Sequence, residues 1–208
     1  MREWVKEGLQ WGSVGRDRFL SQQYVLILAN CGARVVELRS LQWTELSTQG
    51  EGDNKRLVAF VKGKTGEREI VFQQESEEYI KRLYDFRKDE LEMGPPTDVF
   101  VFCSSKGEVI KSFRKGFGSL LKFSDLTNDS KGNKRSLYSL RHFYATKRLS
   151  EEVSPFLLAR QIGTSIEMLE RFHGHVVTSL VTKEVTKTKG KRTQTLQVDE
   201  TDYPFETA

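Results

Sequence analysis

Apolar positions along the chain change their spacing several times, and each change marks an element. In RDRFLSQQYVLILAN (Arg16 to Asn30) Leu20, Tyr24, Ile27 and Leu28 share one helical face, and Cys31-Gly32 interrupts it. The pattern predicts a buried helix that ends at a glycine cap. ARVVELRSLQW predicts a short second helix with Val35, Val36, Leu38 and Leu41 turned inward. Arg34, Glu37 and Arg39 are its interleaved polar positions, and Arg34 stands at its entrance. The spacing then becomes that of strands: RLVAFVK (Arg56 to Lys62) and REIVF (Arg68 to Phe72) flank GKTGE, whose two glycines suit a tight reversal. Lys64 sits at the tip of that hairpin, and QWTEL (Gln42 to Leu46) is a candidate third strand.

Helical period returns in ESEEYIKRLYDFRKDEL (Glu75 to Leu91), with Tyr79, Ile80, Leu83 and Tyr84 as its apolar stripe and acidic residues in its first turn. Gly94-Pro95-Pro96 ends it, and a short apolar VFVFC run follows. Lys106 to Lys122 reads as a solvated amphipathic helix face, net basic, with Phe113, Phe117 and the nearby Phe123 as core. TNDSKGNKR (Thr127 to Arg135) is a loop. SLYSLRHFYATKRL resumes a helix with Leu140, Phe143 and Tyr144 on one side, and Ser154-Pro155 opens another. Thr164-Ser-Ile-Glu167 has capping-box spacing for a helix running to about His173. Beyond Val177 the periodicity fades through TKEVTKTKGKRTQTLQ into the acidic DETDYPFETA, a tail. No solenoid-period repeat and no linker divides the rest. The expected fold class is α+β, mainly α: one helical domain over 1–177 carrying a small antiparallel three-stranded sheet or hairpin, with residues 178–208 as a tail that is disordered or exchanged between protomers.

Composition narrows the classes. A chain of 208 residues with 37% hydrophobic content can close a core. Thirty-three Lys and Arg against twenty-nine Asp and Glu give a net charge of +4 and a pI near 9.0, which favours a polyanionic partner such as nucleic acid. The two cysteines, Cys31 and Cys103, lack CxxC spacing. Neither a disulfide framework nor a thiolate zinc site is supported, and a reducing, cytoplasmic setting is expected. The longest apolar run, Tyr24 to Ala29, is too short to span a bilayer, and MREWVKEGLQ lacks the apolar stretch of a signal peptide. Membrane and secreted classes drop out.

Three stretches far apart in sequence each put a basic residue, Arg34, Lys64 or Arg141, at a helix start or a turn. Together they suit a phosphate. Breaking a phosphodiester without metal needs donors for the charge on the non-bridging oxygens, which guanidinium forks supply, and an acid for the leaving oxygen, which a lysine supplies. No DxD, clustered carboxylates or HExxH supports a metal-dependent nuclease, and neither metal nor nucleotide cofactor is implied.

These residues resemble the catalytic domain of the tyrosine recombinases, the phage integrase family, over roughly Arg16 to Val177. NCGARVVELRSLQW is similar to that family's first arginine box, GKTGEREIVF to its lysine hairpin, YSLRHFYAT to its second arginine box, and LLARQIGTSIEMLERFHGH to its closing box, in the family's order. The resemblance implies the DNA breaking-rejoining core fold and site-specific recombination or integration of double-stranded DNA. The reaction would be metal-free transesterification through a 3′-phosphoprotein link, with a tetramer assembled on DNA. It makes Arg34 and Arg141 phosphate clamps and Lys64 the general acid on the leaving 5′ oxygen, or Lys62 if the hairpin register is off by two. Tyr138 stands where the family often has histidine, and Thr164 where it has histidine or tryptophan; both keep a donor.

The closing box departs further. The nucleophilic tyrosine directly before Gly-His is here His173, beside Phe172. Its imidazole falls short of a tyrosine oxygen by roughly 2 Å, so strand cleavage by this chain is not expected. The histidine is either natural or an introduced replacement, and Tyr203 in the tail is an alternative nucleophile in cis or trans. A non-cleaving DNA-binding domain and an oligomerisation module are the rival readings. Distributed cations able to contact duplex phosphates are Lys62, Lys111, Arg114, Lys115, Lys134 and Arg135, with His142 either a phosphate contact or a packed imidazole, as is His175. The chain begins close to the first helix of that domain, so the family's separate N-terminal DNA-clamping domain is expected to lie outside it.

Overall fold

The helix expected around Leu20 and Tyr24 is the centre of the molecule. In this computed structural model, which describes residues 3–5, 12–63 and 66–171, it is α1 (Ser13–Cys31), with Leu20, Tyr24, Ile27 and Leu28 fully buried. Gly32 stops it in a left-handed turn (φ +66°) whose N–H returns to the Leu28 carbonyl. After α2 (Val35–Arg39) come β1 (Leu46–Gln49), β2 (Arg56–Gly63) and β3 (Gly66–Val71), then α3 (Gln74–Leu91), α4 (Arg114–Phe123), α5 (Leu137–Ser150) and α6 (Pro155–Ile162). Residues 166–171 are helical again. Helix α1 packs against α3, α4 and α5, which places it inside a helical shell.

The hairpin forms as the strand spacing predicts. β2 and β3 pair antiparallel from Val58↔Val71 to Gly63↔Gly66, and β1 adds on the other side of β2 from Leu46↔Ala59 to Gln49↔Arg56. The third strand is displaced from its expected place: Trp43–Glu45 is a 3₁₀ turn and pairing starts at Leu46. Three carbonyls divert that stretch, since Trp43 and Thr44 donate to Val99 and Thr97, and Glu45 to Gln42.

Other faces differ from the sequence pattern. Val36 points outward, 59% exposed, while Glu37 beside it is buried at 3%; Phe143 and Phe123 are exposed, as is Tyr84, whose ring edge meets Trp43. The helix anticipated over Lys106 to Lys122 begins only at Arg114, because Phe102, Cys103 and Ser104 pair locally with Ile110, Val109 and Glu108. The cap of the last helical segment is Ser165 rather than Thr164: Ser165 Oγ accepts the Met168 N–H at 3.2 Å.

Two apolar clusters result. The large one joins α1, the sheet, α3 and α4; the small one joins Tyr144, Ala145 and Leu149 of α5 to Leu158, Ala159 and Ile162 of α6 and to Leu169. Tyr24 ties the large cluster to α2. Its ring stacks on Phe113 with centroids 4.1 Å apart, and its hydroxyl donates to the Val35 carbonyl at 2.6 Å. The residue after Arg34 is thereby anchored to the core. Among the described residues no helix is long and apolar enough to cross a membrane.

Candidate active site at two helix ends

Arg34 and Arg141 are held by the same device. Helix α1 ends at Gly32, and the Gly32 carbonyl accepts Nη1 of Arg141 at 2.7 Å. Helix α6 ends at Gly163, also left-handed (φ +65°), closed by Gly163 N–H to Arg160 and Thr164 N–H to Ala159; the Gly163 carbonyl accepts Nη2 of Arg34. Terminal helix carbonyls carry partial negative charge, so each orients a guanidinium while leaving further N–H groups for a ligand. Both glycines are required by contact as well as by φ. A Cβ on Gly32 would lie 2.3 Å from the Tyr144 ring, and one on Gly163 2.7 Å from the Arg68 guanidinium carbon.

Glu37 organises the cluster from beneath. It accepts the Arg34 backbone N–H on Oε2 (2.8 Å) and Arg34 Nη1 on Oε1 (2.7 Å), and it takes both Nη atoms of Arg68 (2.7 and 2.9 Å). Arg68 also donates to the carbonyls of Gln161 and Ile162. One carboxylate thus joins α2, the hairpin and the end of α6. Burial pushes its pKa up, but the hydrogen bonds from Arg68 and Arg34 outweigh that and hold it down at about 2. Space is tight here: a Cβ on Gly63 would come within 2.4 Å of Glu37 Oε1. Neither Glu37 nor Arg68 was singled out as a site residue from sequence. The available signals were Glu37 three positions after Arg34, the first-turn spacing of a cap, and Arg68 directly after the hairpin turn.

Arg141 is itself buried, 7% exposed. Burial, followed by the neighbouring charge of Arg34, pulls its pKa down to about 10, so it remains protonated at neutral pH. His142 is held below its ordinary value by burial and by Arg141. Tyr138, 52% exposed, meets the His142 ring edge-on with centroids 4.7 Å apart. Thr164 lines a small cavity with Tyr138, Arg141 and His142 and also a cleft with Arg34, Arg68 and Gly163. It therefore lies between the two arginines. Cys31, adjacent to Gly32, is fully buried and its thiol is pushed up to about 12 by that burial, which makes it inert as a nucleophile. Among the described residues no three metal-ligand side chains converge.

The structure thus brings Arg34, Arg141, Tyr138, His142 and Thr164 together. Lys64 lies outside the described residues, as do Phe172, His173, His175, Tyr203 and the boundary at 177. Lys62 is exposed and ion-paired across the hairpin with Glu67 at 3.9 Å. Arg114, Lys134 and Arg135 line one cleft that also includes Tyr138, whereas Lys111 and Lys115 are exposed and are not part of its lining. Arg135 braces the loop before α5 by donating to the Leu126 and Asn128 carbonyls.

The fold is shared with solved recombinases and a transposon integrase. The chain superposes on XerH site-specific recombinase bound to difH substrate with TM-score 0.60 and 18% identity, over 81% of this chain and 47% of that one. XerA recombinase gives 0.56 and 17% over 81% and 64%. The Tn1549 transposon integrase in complex with transposon right end DNA gives 0.56 and 20% over 82% and 63%. The chain spans from about half to just under two thirds of these proteins. No protein-family profile and no curated protein matches it by sequence.

Proposed function

We propose that this chain is the catalytic domain of a tyrosine-recombinase-type enzyme of DNA recombination or integration, which clamps one phosphodiester of double-stranded DNA between Arg34 and Arg141. The observation that carries this reading is the pair of anchored guanidiniums. Arg34 and Arg68 share the Glu37 carboxylate, and Arg141, held by the Gly32 carbonyl, sits buried beside the Arg34 charge. An anion between them relieves that repulsion, and the remaining N–H donors match non-bridging phosphate oxygens. Thr164 and Tyr138 add hydroxyl donors at the same place.

In this reading Lys64, at the hairpin tip, protonates the leaving 5′ oxygen. His173 takes the position at which the family's tyrosine attacks, so the chain holds DNA without forming the 3′-phosphotyrosine link. Arg114, Lys134 and Arg135 extend the contact along the phosphate backbone. The superposed recombinase and integrase solved with DNA support a duplex as the ligand. Self-association on DNA, as a tetramer, belongs to the same proposal.

The test uses nicked suicide duplexes with the chain and with His173→Tyr, read as a covalent band on a denaturing gel alongside DNA binding at low salt. A band from the tyrosine variant alone is expected. A band from both would make His173 or another residue a working nucleophile, and no DNA binding by either chain would overturn the reading.

A further inference from the structure

The two carbonyls that hold the arginines stand at helix ends in different parts of the core. Gly32 follows α1 of the large apolar cluster and orients Arg141; Gly163 follows α6 of the small one and orients Arg34. The two ends lie against each other, since a Cβ on Gly32 would come 2.8 Å from Ile162 Cγ2. Apolar contact is non-directional and leaves the rotation of one end on the other open. Directional bonds across the junction have to set it.

Gln161, near the end of α6, supplies such bonds. Its Nε2 donates to the Cys31 carbonyl at 3.2 Å and to the Val71 carbonyl at 2.8 Å, and its Oε1 accepts the Val71 N–H at 3.1 Å. One amide, two residues before Gly163, thus joins the end of α6 to the residue before Gly32 and to the last residue of β3, an outer strand of the sheet. Turned over, it would point its oxygen at two carbonyls and leave the Val71 N–H without that acceptor, so its orientation is fixed. Arg68 ties the same turn to the hairpin through the Gln161 and Ile162 carbonyls; the Gln161 side chain ties it to α1, where the support of Arg141 begins. Gln161 carries no charge and lines neither of the spaces that Thr164 shares with the arginines.

We infer that Gln161 is a positioning residue of the phosphate site: it sets the spacing between the Arg34 and Arg141 guanidiniums at which both reach the same phosphate. This rests on the DNA-binding reading above. Charge-assisted bonds to phosphate oxygens form at about 2.7–2.9 Å. A shift of about 1 Å between the two helix ends therefore lets one arginine bond at the expense of the other. Gln161 acts only through the carbonyls it places, and its own side chain does not touch the ligand.

The test compares the full chain with Gln161→Met, which keeps the length and loses the amide, with Arg34→Ala, and with the double variant. Anisotropy of a labelled random-sequence duplex is followed across a salt series, below the melting transition of each protein. Gln161→Met is expected to lower DNA affinity by roughly tenfold and to reduce the salt slope by up to about 1. A neutral substitution changes that slope only if a cation has left a phosphate, which a general loosening of the fold would not do. In the Arg34→Ala background the same substitution is expected to cost less than about twofold. Gln161→Asn, whose amide is one methylene short of its partners, should follow Gln161→Met and carries the test if the latter is unfolded. A folded Gln161→Met chain with the parent's affinity and slope overturns the inference and leaves the functional reading standing. So does a loss of affinity that keeps the slope and persists undiminished in Arg34→Ala. A parent chain that does not bind DNA overturns both.

Discussion

Arg68 meets Glu37 through two parallel hydrogen bonds, Nη1 to Oε1 at 2.7 Å and Nη2 to Oε2 at 2.9 Å, beneath a site whose upper side is Arg34. The strand β3 is thereby fastened to the entrance of α2, and through the carbonyls of Gln161 and Ile162 to the turn that carries Thr164. Removing one member of such a buried pair costs more than the pair contributes, because the other charge is left desolvated. Arg68→Met is expected to destabilise the chain by about 3 kcal/mol. The double variant Arg68→Met with Glu37→Gln should lose clearly less than the sum of the two single changes. Urea denaturation of the four proteins measures this; strict additivity would show that the two residues do not act together.

The same pair sets a pH dependence. The Glu37 carboxyl titrates at about 2 in the folded chain against an ordinary 4.5, so its ionised form stabilises the fold. That stabilisation is complete above about pH 4.5 and is lost as the pH falls toward about 2. Other carboxylates contribute to the same acid limb, Glu90 between Arg16 and Arg87 among them. The informative quantity is therefore a difference. Over that window the parent should lose stability more steeply than Glu37→Gln, and parallel curves would count against Glu37 as the titrating group.

Gly32 links the core to the site. Its Cβ would enter the Tyr144 ring, its φ is left-handed, and its carbonyl orients Arg141. Gly32→Ala is expected to cost about 2–4 kcal/mol from backbone strain and overpacking together. DNA affinity should fall as well, measured under conditions where the variant is still folded. Destabilisation with undiminished affinity would mean that the Gly32 carbonyl does not position Arg141.

Arg141 itself separates charge from geometry. Arg141→Ala should weaken DNA binding and lower the salt slope by about 1, whereas Arg141→Lys should keep the slope and still lose affinity, because an ammonium cannot fork onto two phosphate oxygens. Anisotropy titrations over a range of salt give both quantities. Identical slopes for all three proteins would place Arg141 away from the phosphate.

The sequence by itself determined most of the elements and several residues of the candidate site. Apolar period located α1 and α3 to within a few residues, Ser154-Pro155 marked the start of α6, the glycines of GKTGE set the hairpin, and the four boxes singled out Arg34, Tyr138, Arg141 and Thr164, which the fold brings together. These features are local: period, caps and turn residues act over a few positions. Tertiary structure decided what depends on distant partners. Glu37 reads as an outward polar position and Val36 as an inward apolar one. Their roles reverse because Arg68, thirty-one residues on, and the α6 end supply four donors and acceptors to one buried carboxylate cluster. Gly32 and Gly163 read as helix stops. Only the packing of α1 and α6 around the arginines made their carbonyls the supports of two guanidiniums.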